Sequence, residues 1–85
     1  MRDVHARLLR AREELAVLEE QLRFVNDDAD DARIKALVAE TPLAEREWQE
    51  ARRHADALAR GRDVAKARVA ELERAQDELL EKLVV

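Results

Sequence analysis

Residues 39–45 read Ala-Glu-Thr-Pro-Leu-Ala-Glu and contain the only proline of the 85-residue chain. Thr is a favoured helix N-cap, and Pro is favoured at the first helical position, where its missing N–H is not needed. The residue before a proline is also pushed out of the α region, so a helix that reaches this segment ends here. Thr41-Pro42 therefore predicts the end of one helix and the start of another.

Apolar residues recur at alternating steps of four and three on both sides of this segment. Such spacing puts a narrow apolar seam along one side of a helix, as in coiled coils. The first seam consists of Val4, Leu8, Ala11, Leu15, Leu18, Leu22, Val25, Ala29, Ala32, Ala36 and Ala39. The second consists of Ala44, Trp48, Ala51, Ala55, Leu58, Arg62, Ala65, Val69, Leu72, Gln76, Leu79 and Leu83, with only Arg62 and Gln76 polar. The step from Ala39 to Ala44 breaks the phase, which favours a hairpin over one continuous rod.

We therefore expect an all-α fold, an antiparallel two-helix coiled-coil hairpin that forms a single domain over residues 1–85. Helix 1 is predicted at about 2–39, the turn at about 40–42 and helix 2 at about 42–83. A unit with so small a core commonly needs a further source of stability. Self-association into a four-helix bundle, as a homodimer, is the expected source.

Charged residues that flank the two seams support the antiparallel arrangement. In an antiparallel pair, positions that meet across the seam have residue numbers that add up to a nearly constant value. The oppositely charged pairs that satisfy this rule are Glu14 with Arg68, Asp28 with His54, Lys35 with Glu47 and Arg12 with Glu73. Exposed pairs are worth only ~0.2–1 kcal/mol each, so they select the register more than they stabilise the fold.

Composition excludes several classes of protein. Charged residues make up 42% of the chain and apolar residues 47%, with one Gly and no Cys, which excludes a β-sandwich, a doubly wound enzyme fold and a disulfide scaffold. The net charge of −4 gives no overall attraction to nucleic acid or to anionic lipid. No stretch approaches the ~18 apolar residues of a membrane span. We expect a cytoplasmic protein that binds neither membrane nor nucleic acid.

Two charged stretches are candidate sites with simpler explanations. Asp27 with Asp30 or Asp31 could hold a hard cation, but a helix supplies none of the further oxygen ligands that such a site needs. Internal charge matching with the basic run at 52–54, on the other helix, explains the acidic run better, and no metal site is expected. A second basic stretch at 60–62 has no interleaved aromatic residue, which argues against nucleic-acid binding.

Catalysis and cofactor binding are not expected. His5 and His54 are the only bases that titrate near neutral pH, and the chain has no Ser, Cys or Tyr for them to activate. A two-helix hairpin also offers no concave pocket in which the pKa of one carboxylate could be raised. We therefore expect no catalytic residue, no bound cofactor and no enzymatic activity.

Bulky apolar residues outside the seams mark the candidate interaction surface. At the fold-back these are Ile34, Leu37 and Val38 at the end of helix 1, with Leu43 and the seam residue Trp48 at the start of helix 2. Val17 and Phe24 lie one heptad apart on the outer side of helix 1, where an isolated hairpin should be polar. Three roles are open for the fold-back cluster, which are closing the turn, self-association and contact with another protein, and we expect Val17 with Phe24 to form a second seam for a homodimer.

The fold-back segment also resembles part of a known family. Pro42-Leu43-Ala44-Glu45 with Glu47-Trp48 is similar to the tip of the coiled-coil domain of bacterial transcript-cleavage factors, without the leading tip Asp and the C-terminal domain of that family. Our interpretation is a non-enzymatic coiled-coil protein-binding module or adaptor, which acts through self-association and a helical partner. The alternatives are a small regulator that binds RNA polymerase or a sigma factor through the hairpin, as the resemblance implies, and a purely structural spacer.

Overall fold

The computed structural model describes residues 2–84 and contains two long helices in this range. Helix α1 runs over Arg2–Ala39 and helix α2 over Pro42–Val84. The helices fold back on each other into an antiparallel hairpin of 66 × 14 × 14 Å, which confirms the predicted fold class. The single domain expected over residues 1–85 includes Met1 and Val85, which lie outside the described residues.

The turn is closed by backbone and side-chain hydrogen bonds at both helix ends. The Ala44 amide donates to Thr41 Oγ1 over 3.1 Å, and the Glu45 amide donates to the Thr41 carbonyl over 3.1 Å, so Thr41 is the N-cap that the sequence predicts. At the end of α1, the Glu40 amide donates to the Ala36 carbonyl, and Glu40 takes a left-handed conformation with φ of 52°. Left-handed residues commonly end helices, but Gly or Asn usually holds that place.

The seam carries the core, and its largest side chains lie towards the open end of the hairpin. Leu8 is 1% exposed and packs with Ala11 and Val69, while Leu15 and Leu72 pack against this cluster. The clustering follows from the antiparallel register, which sets the first turns of α1 beside the last turns of α2. A fully buried Leu is worth about 1.5–3 kcal/mol relative to an exposed one, so this cluster supplies much of the hairpin's cohesion.

Towards the fold-back, the buried seam residues are small. Ala36, Ala44 and Ala55 are the buried side chains here, whereas Ala39 at the end of α1 is exposed. Alanine contributes little apolar area, but it lets two helices approach closely. Of the bulky residues in this half, Trp48 is half-buried in the seam, whereas Ile34, Leu37, Val38 and Leu43 lie exposed outside it.

The two polar residues of the second seam, Gln76 and Arg62, each contact a nearby polar side chain. Gln76 Nε2 lies 3.2 Å from His5 Nδ1 on the other helix, and Arg62 Nε lies 2.7 Å from Asp63 Oδ1. Through these contacts, the polar groups of the two residues that interrupt the second seam gain hydrogen-bond partners. The contacts explain why the hairpin tolerates the two residues.

Two of the four predicted ion pairs between the helices are present. Arg12 Nη2 lies 3.5 Å from Glu73 Oε1, and Lys35 Nζ lies 3.3 Å from Glu47 Oε2. The predictions for Glu14 with Arg68 and for Asp28 with His54 are wrong, because neither pair comes within 4 Å in residues 2–84 of the structure. An exposed pair gains too little energy to hold two long side chains in one geometry.

The turn predicts opposite effects for two neighbouring substitutions. Glu40→Gly should raise the free energy of unfolding by about 1 kcal/mol, because a side chain disfavours the left-handed conformation. Thr41→Ala should lower it by about 0.5–2 kcal/mol, because the cap hydrogen bond is lost. Chemical denaturation of both variants measures the two effects. Glu45→Gly is the control, since Glu45 is helical and should lose stability with Gly; a destabilised Glu40→Gly would contradict the account of the turn.

Candidate functional site

The two ion pairs between the helices lie on opposite sides of the hairpin. Lys35 directly precedes the seam residue Ala36, whereas Arg12 directly follows the seam residue Ala11. In heptad geometry these two positions flank the seam on its two sides. We call the corresponding surfaces of the hairpin the Lys35 face and the Arg12 face.

The exposed apolar residues near the middle of the hairpin border the Lys35 face. Val17 is 54% exposed, Phe24 63% and Val64 71%, and their heptad positions place all three on the outer edges of this face. Val17 and Phe24 belong to α1, and Val64 lies on α2 at nearly the level of Val17. The sequence prediction for Val17 and Phe24 thus concerns one margin of a surface to which both helices contribute.

Two shallow grooves lie on the Lys35 face in the open half of the hairpin. The first encloses about 560 Å³ and is lined by Arg7, Val64, Ala67, Arg68, Glu71, Leu72 and Ala75. The second encloses about 550 Å³ and is lined by Arg10, Glu13, Glu14, Val17 and Leu18. Seam leucines are reached from both grooves, so apolar surface continues from the exposed valines towards the core. Both grooves are mainly apolar, with charged residues at their margins.

Val64 and Gly61 lie on the Lys35 face but do not belong to the candidate surface that the sequence predicts. Val64 occupies the same heptad position in α2 as Val17 does in α1, and a comparison of the two outer stripes would have found it. Gly61 lies in the interior of α2, beside the seam on the Lys35 face. A Cβ on Gly61 would meet no atom of the described residues within 4 Å outside its own helical turns.

The residues predicted at the fold-back surround it rather than covering one side. Ile34, Leu37, Val38 and Leu43 are between 60% and 80% exposed, whereas Trp48 is half-buried in the seam. By helical spacing, Leu37 lies towards the Arg12 face, Val38 and Leu43 lie towards the Lys35 face, and Ile34 points away from the seam. The hairpin therefore presents an apolar collar at its tip, with Trp48 beneath it.

Carboxylates of the tip segment have local partners. Glu45 Oε1 accepts a hydrogen bond of 3.2 Å from Gln49 Nε2, one turn further along α2. Glu47 pairs with Lys35 across the seam. Both groups are thus engaged in holding the start of α2.

The acidic run of α1 does not make the contacts that the sequence predicts. No ion pair within 4 Å joins residues 27–31 to residues 52–54 in the described part of the chain. Asp27, Asp28, Asp30 and Asp31 are all exposed. Over residues 2–84, no group of His, Cys, Asp and Glu side chains has the geometry to hold a metal ion.

Comparisons of the chain with protein-family models, with curated proteins and with solved structures found no match. Within the described range, neither helix contains a stretch that is both long and apolar enough to cross a membrane.

The open space beside Gly61 predicts a stabilising substitution. Gly61→Ala should raise the free energy of unfolding of the single hairpin by about 1 kcal/mol, the difference in helix propensity between the two residues. The measurement is chemical denaturation at protein concentrations low enough that the midpoint no longer depends on concentration. Ala67→Gly, at an exposed position of the same helix, is the mirror control and should lose a similar amount. A loss of stability in Gly61→Ala would show that the hairpin itself needs the glycine.

Proposed function

We propose that this hairpin is a non-enzymatic coiled-coil protein-binding module, which acts through self-association and through a helical partner. The observation that carries the proposal is the apolar collar at the tip, where four bulky side chains are exposed to between 60% and 80%. Exposed apolar surface of a few hundred Å² on a small protein commonly marks an interface.

The arrangement of the collar favours a helical partner. Ile34, Leu37 and Val38 follow the steps of three and four that a second helix needs for packing along α1. Leu43 extends this surface across the turn onto α2. An amphipathic helix bound along the outer side of α1 would bury Ile34, Leu37 and Val38 with apolar residues at its own three- and four-residue spacing.

The surface of Trp48 that stays accessible in the seam adds to this interpretation. Trp is among the residue types that contribute most to binding energy at interfaces. Trp48 is held by its seam position in α2, so its ring needs little ordering when a partner binds. Val17 and Phe24 supply separate apolar surface along α1, which supports self-association independently of the tip.

A double substitution at the tip tests the proposal. Ile34→Glu with Leu37→Glu places two charges in the collar at positions off the Lys35 face, and we expect a folded protein of unchanged oligomeric mass that no longer recovers the partner captured by the wild-type chain. Ala16→Glu with Asn26→Glu is the matched control, because it adds two negative charges at exposed positions away from the tip and removes little apolar surface. The readouts are the melting temperature, the mass by sedimentation equilibrium and affinity capture from the native lysate.

Other outcomes assign other roles to the tip. A fall in mass would show that the collar is the self-association surface, and a loss of thermal stability at unchanged mass would show that the collar serves only to close the turn. Wild-type stability, mass and capture in the double variant would contradict a tip interface and favour a structural spacer.

A further inference from the structure

Gly61 is unexplained by the packing of the hairpin. A glycine in a helix interior is destabilising relative to alanine. Nothing in the described hairpin fills the space that a Cβ at Gly61 would occupy, and the residue has an ordinary helical conformation without positive φ. A glycine on a helix surface can still serve one physical purpose, because it lets another backbone approach the helix closely.

Apolar residues surround Gly61 on the Lys35 face. Val64 and Ala57 lie one turn to either side of it on α2, and Val17 and Phe24 flank the same level on α1. The grooves described above begin beside Val17 and Val64. The glycine therefore lies among exposed apolar residues that both helices contribute to the middle of the Lys35 face.

We infer that the Lys35 face binds the Lys35 face of a second copy of this chain, with both tips at the same end, so that α1 of each copy lies over α2 of the other. This inference rests on the self-association in the proposed function and specifies its surface and orientation. The two-fold axis of such a dimer runs along the length of the hairpins. The product is a four-helix bundle in which Gly61 lies level with Gln21 of the second copy.

Apolar residues also match across the face in this orientation. When α1 lies over α2 of the second copy at the same level, Val17 comes level with Val64 and Phe24 with Ala57. Near the tip, Val38 comes level with Leu43 in the same way. The three exposed apolar positions on the outer edge of α1 thus each meet an apolar residue.

Charges on the face support the same orientation. Glu14 comes level with Arg68 of the second copy, and Asp28 with His54. These are the two pairs that the hairpin itself does not form, so their partners within the dimer are available. Arg10 and Glu71 are brought level as well, while Asp31 with Glu50 and Asp3 with Glu78 are the like-charged pairs among these neighbours.

The opposite orientation is disfavoured by its charges. If two copies met on this face with their tips apart, centred on Gly61, α1 would lie over α1 and α2 over α2. Glu14 would then face Asp28, and Arg7 would face Lys35. On α2, Glu50 would face Glu71. Like charges at flanking positions of a helical bundle disfavour an arrangement.

A distance measurement between the tips tests the orientation. The chain has no cysteine, so Ala39→Cys provides a single site for a spin label at the exposed end of α1. Double electron–electron resonance should give a separation below about 30 Å, because neighbouring helices in a bundle lie about 8–10 Å apart. A separation of about 50 Å or more, which two copies with their tips apart would give at about 1.5 Å per helical residue, would overturn the inferred orientation and leave self-association intact.

The oligomeric mass of single variants tests whether the Lys35 face is the dimer surface. Val64→Glu should convert the dimer to a folded monomer in sedimentation equilibrium, while Leu80→Glu, on the Arg12 face, should remain a dimer. Gly61→Ala should raise the dissociation constant by roughly tenfold or more, since a side chain that overpacks a close contact is destabilising. Circular dichroism of each variant verifies that the helices are retained.

The remaining outcomes distinguish an error in the assigned face from an absence of self-association. A dimer that survives both Val64→Glu and Gly61→Ala would overturn the assignment of the Lys35 face while leaving self-association standing. A wild-type chain that is monomeric at high micromolar concentration would contradict self-association and this inference together. In that case the tip experiment still tests partner binding by itself.

Discussion

The structure depends on one interaction, the antiparallel packing of two apolar seams whose residue sizes change along their length. Leu8, Val69 and the leucines that pack on them join the helices at the open end, whereas alanines line the seam near the turn. This gradient in residue size determines where apolar side chains are buried between the helices and where they stay at the surface. The bulky side chains of the alanine half, apart from Trp48 in the seam, occupy positions outside the seam and form the collar at the tip. The register that joins the seams also decides which residues share the Lys35 face.

The fold follows closely from the sequence because its two determinants are local. The alternation of four-residue and three-residue steps between apolar residues specifies which side of each helix is buried. Thr41-Pro42 supplies the cap and the interruption that separate the two helices. The conformation of Glu40 could not be read from the chain, since Glu has no preference for the left-handed region that it occupies. The turn needs a left-handed residue at that place, and the hydrogen bonds on either side hold it there.

The candidate surface could be predicted only in part. Side chains such as Val17, Phe24 and Leu37 are apolar at positions outside the seam, and this alone predicts that they are exposed. Which of these side chains lie together depends on the side of the seam that each one flanks in the folded hairpin. For the same reason, the tip residues are distributed around the tip as a collar. Single ion pairs such as Glu14 with Arg68 were predicted wrongly, because long exposed side chains gain too little energy from one partner to specify it. Gly61 became informative only when the space beside it was known.

Native-state hydrogen exchange followed residue by residue tests the central claim most directly, because it measures the stability of the seam along its whole length. If the gradient of residue size controls cohesion, backbone amides at residues 15–22 and 62–72 should be protected most strongly. Protection should then fall steadily towards Ala36 and Ala51, where the seam consists mostly of alanine. Protection around Ala32 and Ala51 that equals or exceeds that of the leucine half would contradict the claim. It would show that the hairpin is held together at its turn instead of at its open end.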